Sequence, residues 1–164
     1  MEGARRAGPD DLAVITDLVR LAIAELTPHR GGAVWHRYEA RSEPIEPALA
    51  ELLASGSTDT LVVVGLIDDT PIGYGVVAIE VLHDGQRLAV VSDLYVLPDA
   101  RGIGVGEAMM DLLVERAQAA GAVGIDAMAL PGDRQTKNFF ETFGLTARAI
   151  VVHRSFEAKA GAEL

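Results

Sequence analysis

The stretch LYVLPDARGIGVGE, residues 94–107, decides how this chain of 164 residues folds. It begins as an apolar strand, breaks at Pro98-Asp99, and passes through alternate glycines at positions 102, 104 and 106 into a helix. Such a turn exposes several main-chain N–H groups at the positive end of a helix dipole. Glycines let a ligand come close to the main chain, and Arg101 adds a fixed positive charge. The stretch therefore predicts a binding site for a phosphate or pyrophosphate.

Hydrophobic periodicity around this stretch predicts an α/β fold with a mixed sheet. Two amphipathic helices, at 12–26 and 44–55, flank an irregular stretch at 29–41 that carries aromatic and basic side chains. Strands follow at 60–67, 72–82 and 87–97, and hairpin turns make them antiparallel. After the glycine turn come a helix to about residue 120, a strand at 122–130, a short helix and a strand at 145–156. The strand–helix–strand unit implies one parallel pair.

Composition narrows the class of protein. The chain is 49% hydrophobic and 23% charged, as ordinary globular domains are, so we expect one domain over residues 1–164. It has no cysteine, which excludes disulfides and thiolate metal sites, and we expect no metal. A net charge of −10 argues against nucleic-acid binding. It suits a cationic substrate, although a solvated acidic surface explains it equally simply.

Targeting signals are missing from the pattern. The sequence has no run of 18 apolar residues, and its first ten residues lack the apolar core of a signal peptide. We therefore expect no membrane contact and a cytoplasmic location.

Two common phosphate-binding motifs fit the glycine turn poorly. A Walker P-loop requires Lys followed by Ser or Thr after its glycines, and no such pair occurs here. The dinucleotide fingerprint G-x-G-x-x-G requires glycine at position 107, where Glu107 stands. A nucleotide-binding protein of another fold is thus the weaker hypothesis.

The order of strand, proline, Arg-x-x-Gly-x-Gly and helix resembles the acyl-CoA signature of the GNAT N-acetyltransferase superfamily. The segment DRQTKNFFETFGL, residues 133–145, is similar to the second signature of that family. The resemblance covers about residues 5–156. It implies a mostly antiparallel central sheet flanked by helices, with a parallel strand pair splayed at the CoA site. It also implies that acetyl-CoA is a co-substrate.

The resemblance assigns cofactor contacts to both signatures. Main-chain groups of Leu94, Tyr95 and Val96 would bind the pantetheine arm, and one of their N–H groups would hold the oxyanion. N–H groups of the glycine turn would bind the pyrophosphate, assisted by Arg101. That set comprises Gly102, Ile103, Gly104, Val105, Gly106 and Glu107. In the second signature, Asp133 caps the helix or touches the cofactor, and Asn138 faces the cofactor or solvent.

The implied reaction is direct attack of a primary amine on acetyl-CoA in a ternary complex. The family often has a tyrosine acid in its second signature, and the matching residue here is Phe140. Related polyamine acetyltransferases place glutamate before the strand aspartate, and this chain has Ser92 there. The alternative is therefore a non-catalytic acyl-CoA-binding or regulatory module. Proton transfer can still be sought among three side chains, which are Asp93, Glu80 and Tyr95.

The sequence says least about the acceptor substrate and the oligomeric state. The loops at His29–Arg41 and Leu82–Arg87 are expected to shape the pocket for a small-molecule or peptide amine. Phe140→Tyr is expected to raise kcat if proton donation limits the rate. The apolar run Ala147–Val152 could support a homodimer through a strand edge.

Overall fold

A five-stranded mixed sheet lies at the centre of the computed structural model, which describes residues 1–158. Its strands are β1 (Glu2–Arg6), β2 (Thr60–Ile67), β3 (Thr70–Val81), β4 (Arg87–Val96) and β5 (Gly124–Ala127). They lie side by side in chain order. The first four pair antiparallel, and β4 pairs with β5 in parallel. The predicted α/β class and mixed sheet are confirmed.

Helices cover both faces of this sheet. They are α1 (Leu12–Leu26), α2 (Gly32–Tyr38), α3 (Ile45–Ala54), α4 (Val105–Ala119) and α5 (Arg134–Thr142). The apolar stripes of α1 and α3 pack on one face, together with Val76 and Tyr95. The stripe of α4 and the ring of Phe140 pack on the other, against Val77 and Val91. This two-sided burial explains the nearly continuous apolar runs of β2 and β3.

Glycines in β2 and β3 let α4 lie unusually close to the sheet. A Cβ on Gly65 would overlap the Val105 side chain, and one on Gly73 would lie 2.6 Å from the Tyr95 carbonyl oxygen. The helix that begins in the glycine turn is thereby held against β2 and β3.

The parallel pair of strands separates halfway along β4. Pairing with β5 runs from Leu88–Gly124 to Val91–Ala127 and stops there, while β4 continues to Val96. Ser92 is an extra residue at this point, because Asp93 pairs with Val76 and Val91 with Val77. Such a bulge bends a strand and increases its twist. The predicted splayed pair is confirmed, and Ser92 marks where it opens.

The predicted last strand, Leu145–Phe156, is wrong. Gly144, at φ 83°, turns the chain after α5, and from position 146 to 157 no main-chain group bonds to another within the described residues. An alternating apolar sequence favours a strand, but a strand also needs a partner edge, and β5 offers only four residues. Ala147–Val152 therefore forms no strand edge, and the homodimer expected from it stays a prediction.

Two shorter elements also differ from expectation. Residues 29–41, predicted as irregular, contain the two-turn helix α2, which begins after Gly31 at φ 84°. The N-terminal strand β1 was not predicted, because Arg5 and Arg6 hide its alternation. Its pairing with β2 extends the sheet by one edge strand.

Candidate functional site

The glycine turn presents a row of main-chain donors. Gly102 and Gly104 have φ of 82° and 101°, values that side-chain-bearing residues rarely adopt. Gly104 is the N-cap of α4, and its carbonyl accepts from Ala108 N–H at 3.0 Å. Among residues 1–158, the six N–H groups from Gly102 to Glu107 have no protein acceptor. Six neighbouring donors at a helix N-terminus form a cradle for an anion.

The strand before the turn offers more main-chain groups. Leu97 N–H donates to Ile72 O at 2.9 Å, so the antiparallel alternation directs the main-chain groups of Tyr95 towards β3. Those of Leu94 and Val96 point the other way, into the gap that β5 leaves open. Of the predicted pantetheine contacts, the main-chain groups of Leu94 and the N–H of Val96 thus have the required geometry. Val96 O is bound by Arg101 Nε, and the main chain of Tyr95 points towards β3.

Arg101 faces away from the cradle. Its Nη2 lies 2.9 and 3.0 Å from the carboxylate oxygens of Glu25, and its Nε donates to Val96 O at 2.8 Å. The guanidinium carbon lies 5.4 Å from the centre of the Tyr95 ring. Among residues 1–158 its Nε and Nη2 are thus engaged by Val96 O and Glu25, and the predicted phosphate contact is left to Nη1.

The Tyr95 hydroxyl belongs to the same cluster. It donates to Glu25 Oε1 at 3.2 Å, on the face of the sheet that α1 covers. Burial raises the pKa of this hydroxyl, and the Glu25 carboxylate raises it further, against the opposing effect of Arg101. The side chain is therefore a poor proton donor and points away from the gap.

Asp93 lies at the vertex of the gap, which is the point where β4 and β5 separate. Its carboxylate accepts hydrogen bonds from three neighbouring side chains. Arg41 binds it through Nε and Nη2 at 2.9 and 2.8 Å. Tyr74 donates to it at 2.8 Å and Ser92 at 2.6 Å. Burial and the Asp93 charge raise the pKa of Tyr74 well above its usual value. All four hydrogen bonds go to Asp93, so this carboxylate has little capacity left to accept a proton from an amine.

The remaining predicted residues are scattered. Glu80 is exposed and pairs with Leu88, about four residues or 13 Å along the sheet from the Asp93 row. Asp133 accepts from the Thr136 hydroxyl at 2.6 Å and its N–H at 3.3 Å, as a helix cap does. Asn138 is exposed on α5, whereas Phe140 is buried in the core beneath it.

A cleft of about 620 Å³ lies between the α1–α2 loop and the turn before α5. The loop meets the chain just beyond β5, because Gly31 packs on Pro131. Its lining residues are His29, Arg30, Pro131, Gly132, Asp133, Arg134 and Gln135. Within residues 1–158, neither Arg30 nor Arg134 has a salt-bridge partner. With these two arginines and one carboxylate, Asp133, the wall of this cleft carries a net positive charge, although the whole chain is acidic.

The other loop expected at the pocket lies elsewhere. Leu82–Arg87 is the hairpin between β3 and β4, closed by a 2.7 Å bond from Leu82 N–H to Gln86 O. It borders the first residue of β5, at the paired end of the strands. That this loop shapes the acceptor pocket stays a prediction, and the gap opens at the opposite end of β4.

Several site residues escaped the sequence interpretation. Glu25 and Tyr74 gave no signal, because a glutamate on a helix and a tyrosine on a strand are common. Arg41 was only the end of a loop. Phe139 packs its ring edge 3.3 Å from where a Gly106 Cβ would be, and so borders the glycine turn. None of these pairings follows from spacing along the chain.

The family model for GNAT acetyltransferases matches residues 21–145, which include both the glycine turn and α5. The chain belongs to this family of N-acetyltransferases, for which acetyl-CoA is the co-substrate. Among curated proteins, none matches the sequence significantly.

Solved structures share the fold at low identity. An aminoglycoside acetyltransferase from an uncultured soil metagenomic sample is 21% identical, with a TM-score of 0.67 over 96% of this chain and 97% of that one. Glucosamine-6-phosphate N-acetyltransferase from Arabidopsis thaliana is 17% identical, with a TM-score of 0.68 over 96% and 99%. A tetramutant of the BH1408 protein from Bacillus halodurans is 16% identical and reaches 0.77 over 93% and 99%. At these identities the likeness concerns the fold alone.

The described residues contain neither a membrane-spanning helix nor a metal-binding cluster. No helix within residues 1–158 combines the length and apolarity needed to cross a bilayer. Over the same residues, no group of three or more acidic or histidine side chains is arranged to hold a metal ion.

Proposed function

We propose that this protein transfers the acetyl group of acetyl-CoA to a primary amine by direct attack in a ternary complex. The observation that carries the proposal is the row of six N–H donors from Gly102 to Glu107, which adjoins the free edge of β4. A pyrophosphate needs such donors, and a pantetheine arm needs such an edge. Both occur at one place, joined by the turn at Pro98.

Main-chain groups do most of the work in this proposal. The N–H groups of the glycine turn bind the pyrophosphate. The main-chain groups of Leu94 and the N–H of Val96 bind the pantetheine arm like an added strand, and Val96 O stays with Arg101. Leu94, nearer to the vertex, gives its N–H to the oxyanion that forms at the thioester carbon. Asn138 remains available to the cofactor. Asp133 is committed to capping α5.

In this proposal the side chains position the main-chain groups of the site and take little part in proton transfer. Asp93 holds the bulge and Arg41 at the vertex, and Glu80 and Tyr95 lie away from it. We infer that water in the open gap takes the amine proton and protonates the leaving thiolate. Positioning alone can supply about 7–11 kcal/mol, whereas one acid or base is worth about 10²–10⁴-fold, so a slow enzyme is expected.

The cleft beside His29 is the proposed acceptor site. Its positive wall, with Arg30 and Arg134, suits an amine that also carries an anionic group better than a polyamine. This revises the weak preference for a cationic substrate that the net charge suggested. A phosphorylated amino sugar is one such compound, and the fold neighbour from Arabidopsis thaliana is named for one.

The test is a thiol-release assay with acetyl-CoA and a panel of amines. The panel contains amino-sugar phosphates, amino acids, aminoglycosides, polyamines and N-terminal peptides. The proposal predicts release above the hydrolysis rate with at least one amine, and faster turnover of the anion-bearing members. Binding of acetyl-CoA without release for any amine would favour the non-catalytic module, for which Phe140 and Ser92 are the supporting observations.

A further inference from the structure

Glu25, near the C-terminal end of α1, contacts the cofactor strand through Arg101. Both carboxylate oxygens of Glu25 accept from Arg101 Nη2, and Glu25 Oε1 also accepts from the Tyr95 hydroxyl. The same guanidinium donates through Nε to Val96 O. The side chains of Arg101 and Glu25 are 27% and 32% exposed, so water screens the pair only in part. This cluster joins α1, β4 and the first residue of the glycine turn.

We propose that Glu25 is a positioning residue for acyl-CoA binding and acts through Arg101. The inference rests on the function proposed above and adds a residue outside both signatures. Held by Glu25, the guanidinium fixes Val96 O, the last main-chain acceptor of β4, and turns away from the cradle. The phosphates are then left to the main-chain N–H groups of the turn. In this proposal Arg101 connects α1 to β4, a role called a tie below, and does not bind phosphate.

The cluster also reaches the acceptor side. α1 ends at Leu26, and the next residues lead to His29 and Arg30 in the wall of the cleft. The contact between Glu25 and Arg101 therefore fixes the first residues of the acceptor loop relative to β4, the strand that holds the thioester. Loss of the tie loosens both sites together, which is a consequence that a phosphate contact by Arg101 would not have.

The two roles of Arg101 predict opposite effects of Glu25→Gln. If Arg101 is a tie, the loss of the carboxylate charge weakens CoA binding, by about fivefold to tenfold. If Arg101 binds phosphate and Glu25 only competes for it, Glu25→Gln frees the arginine and tightens CoA binding. The sign of one affinity change thus separates the two roles.

The experiment is isothermal titration calorimetry with CoA, and with acetyl-pantetheine by competition. Acetyl-pantetheine lacks the pyrophosphate, so it reports on the strand alone. The proteins are wild type, Glu25→Gln, Arg101→Gln and the double variant. We expect both single variants to lose affinity for the two ligands by similar factors, and the double variant to lose no more than either. In the thiol-release assay, KM rises for acetyl-CoA and for the amine, whereas kcat at saturating amounts of both stays within about twofold.

Two further variants keep the test decisive. Arg101→Lys keeps a cation but cannot reach Glu25 and Val96 O together, so we expect it to match Arg101→Gln. The matched control is Arg20→Gln, on the same helix as Glu25. It breaks exposed hydrogen bonds to Glu43 and Glu46 and should leave CoA affinity unchanged. Thermal unfolding shows that each variant is folded.

The proposal is overturned if Glu25→Gln leaves CoA affinity unchanged or increases it. It is equally overturned if Arg101→Gln loses affinity for CoA alone, or if Arg101→Lys binds CoA as wild type does. Wild-type protein that binds no CoA would instead refute the function proposed above. A failure of the Glu25 proposal would therefore be seen in the variants, and a failure of the proposed function would be seen in the wild-type protein.

Discussion

Single residues matter most where the main chain takes a conformation that only glycine adopts easily. α4 has such a glycine at each end, Gly104 before it at φ 101° and Gly121 after it at φ 72°. The first belongs to the cradle, and the second closes the helix far from it. The pair offers a matched comparison between a structural and a functional use of the same backbone property.

Alanine at either glycine should cost about 1–2 kcal/mol of stability, because a Cβ disfavours positive φ. Gly104→Ala should also weaken CoA binding by about tenfold or more, since the neighbouring N–H groups must turn. Gly121→Ala should leave CoA affinity unchanged. Titration calorimetry and thermal unfolding of both variants measure these effects. Equal CoA affinity in the two variants would mean that the turn does not hold the pyrophosphate.

Phe140 occupies the position of the usual acid, so Phe140→Tyr tests whether proton donation limits turnover. If a phenol at this buried position reaches the leaving thiolate, kcat should rise by about tenfold or more with KM unchanged, because it would protonate the thiolate better than water does. Phe143→Tyr, at the residue that follows the same helix, is the control and should not change kcat. An unchanged or lower kcat for Phe140→Tyr would show that solvent or another group already protonates the thiolate.

At the level of elements, the approach of α4 to the sheet keeps the turn in place. Gly65→Ala should lower the free energy of unfolding by about 1–3 kcal/mol, because its Cβ would overlap Val105. Gly3→Ala, on the neighbouring strand, has nothing within 4 Å of its Cβ and should change stability little. Urea unfolding of the two variants gives the comparison. Similar stabilities would mean that α4 can move away from the sheet without cost.

The junction of β1 and α1 depends on pH through Asp11. Hydrogen bonds from Arg5 lower the pKa of Asp11, against the opposing effect of burial, and the Gly8 N–H lowers it further. A folded-state pKa below the unfolded one, about 3.9, gives stability that is present above that pH and is lost as the pH falls. Asp11→Asn should therefore be less stable than wild type at pH 7.

The difference between the two proteins should shrink as the pH falls from about 5 to 2. Asp10→Asn, at the exposed neighbouring position, is the control and should follow wild type. Denaturant unfolding at several pH values measures both. A difference between wild type and Asp11→Asn that stays constant over this range would contradict the role of the Arg5 pair.

The elements show what sequence can and cannot predict. Periodicity and turn residues predict β2 at 60–67 to the residue and the end of α4 to within one residue. The prediction of a last strand at 145–156 is wrong because alternating apolar residues do not show whether a sheet edge is free to pair with them. The roles of Arg101 and Asp93 were missed for a related reason, since a motif shows the charge but not its partner. Glu25 and Arg41 lie 76 and 52 residues away from the groups that they bind.

Over the whole molecule, charge distribution matters more than net charge. The chain carries −10, yet the acids nearest to the gap, Glu25 and Asp93, are each bound by an arginine. The cleft is left with Arg30 and Arg134. We therefore expect kcat/KM for an amino-sugar phosphate to exceed that for its unphosphorylated form at low salt. Substitution of both arginines by glutamine should remove the difference, and a preference for polyamines would contradict this assignment.

The fold, the family and the cradle together make acetyl-CoA binding the central claim. Titration calorimetry of the wild-type chain with acetyl-CoA, CoA, NAD and ATP tests it most directly. The account predicts binding of CoA and acetyl-CoA at one site, with a Kd of about 1 μM to 1 mM, and much weaker binding of NAD and ATP. Tight binding of NAD without binding of CoA would contradict it.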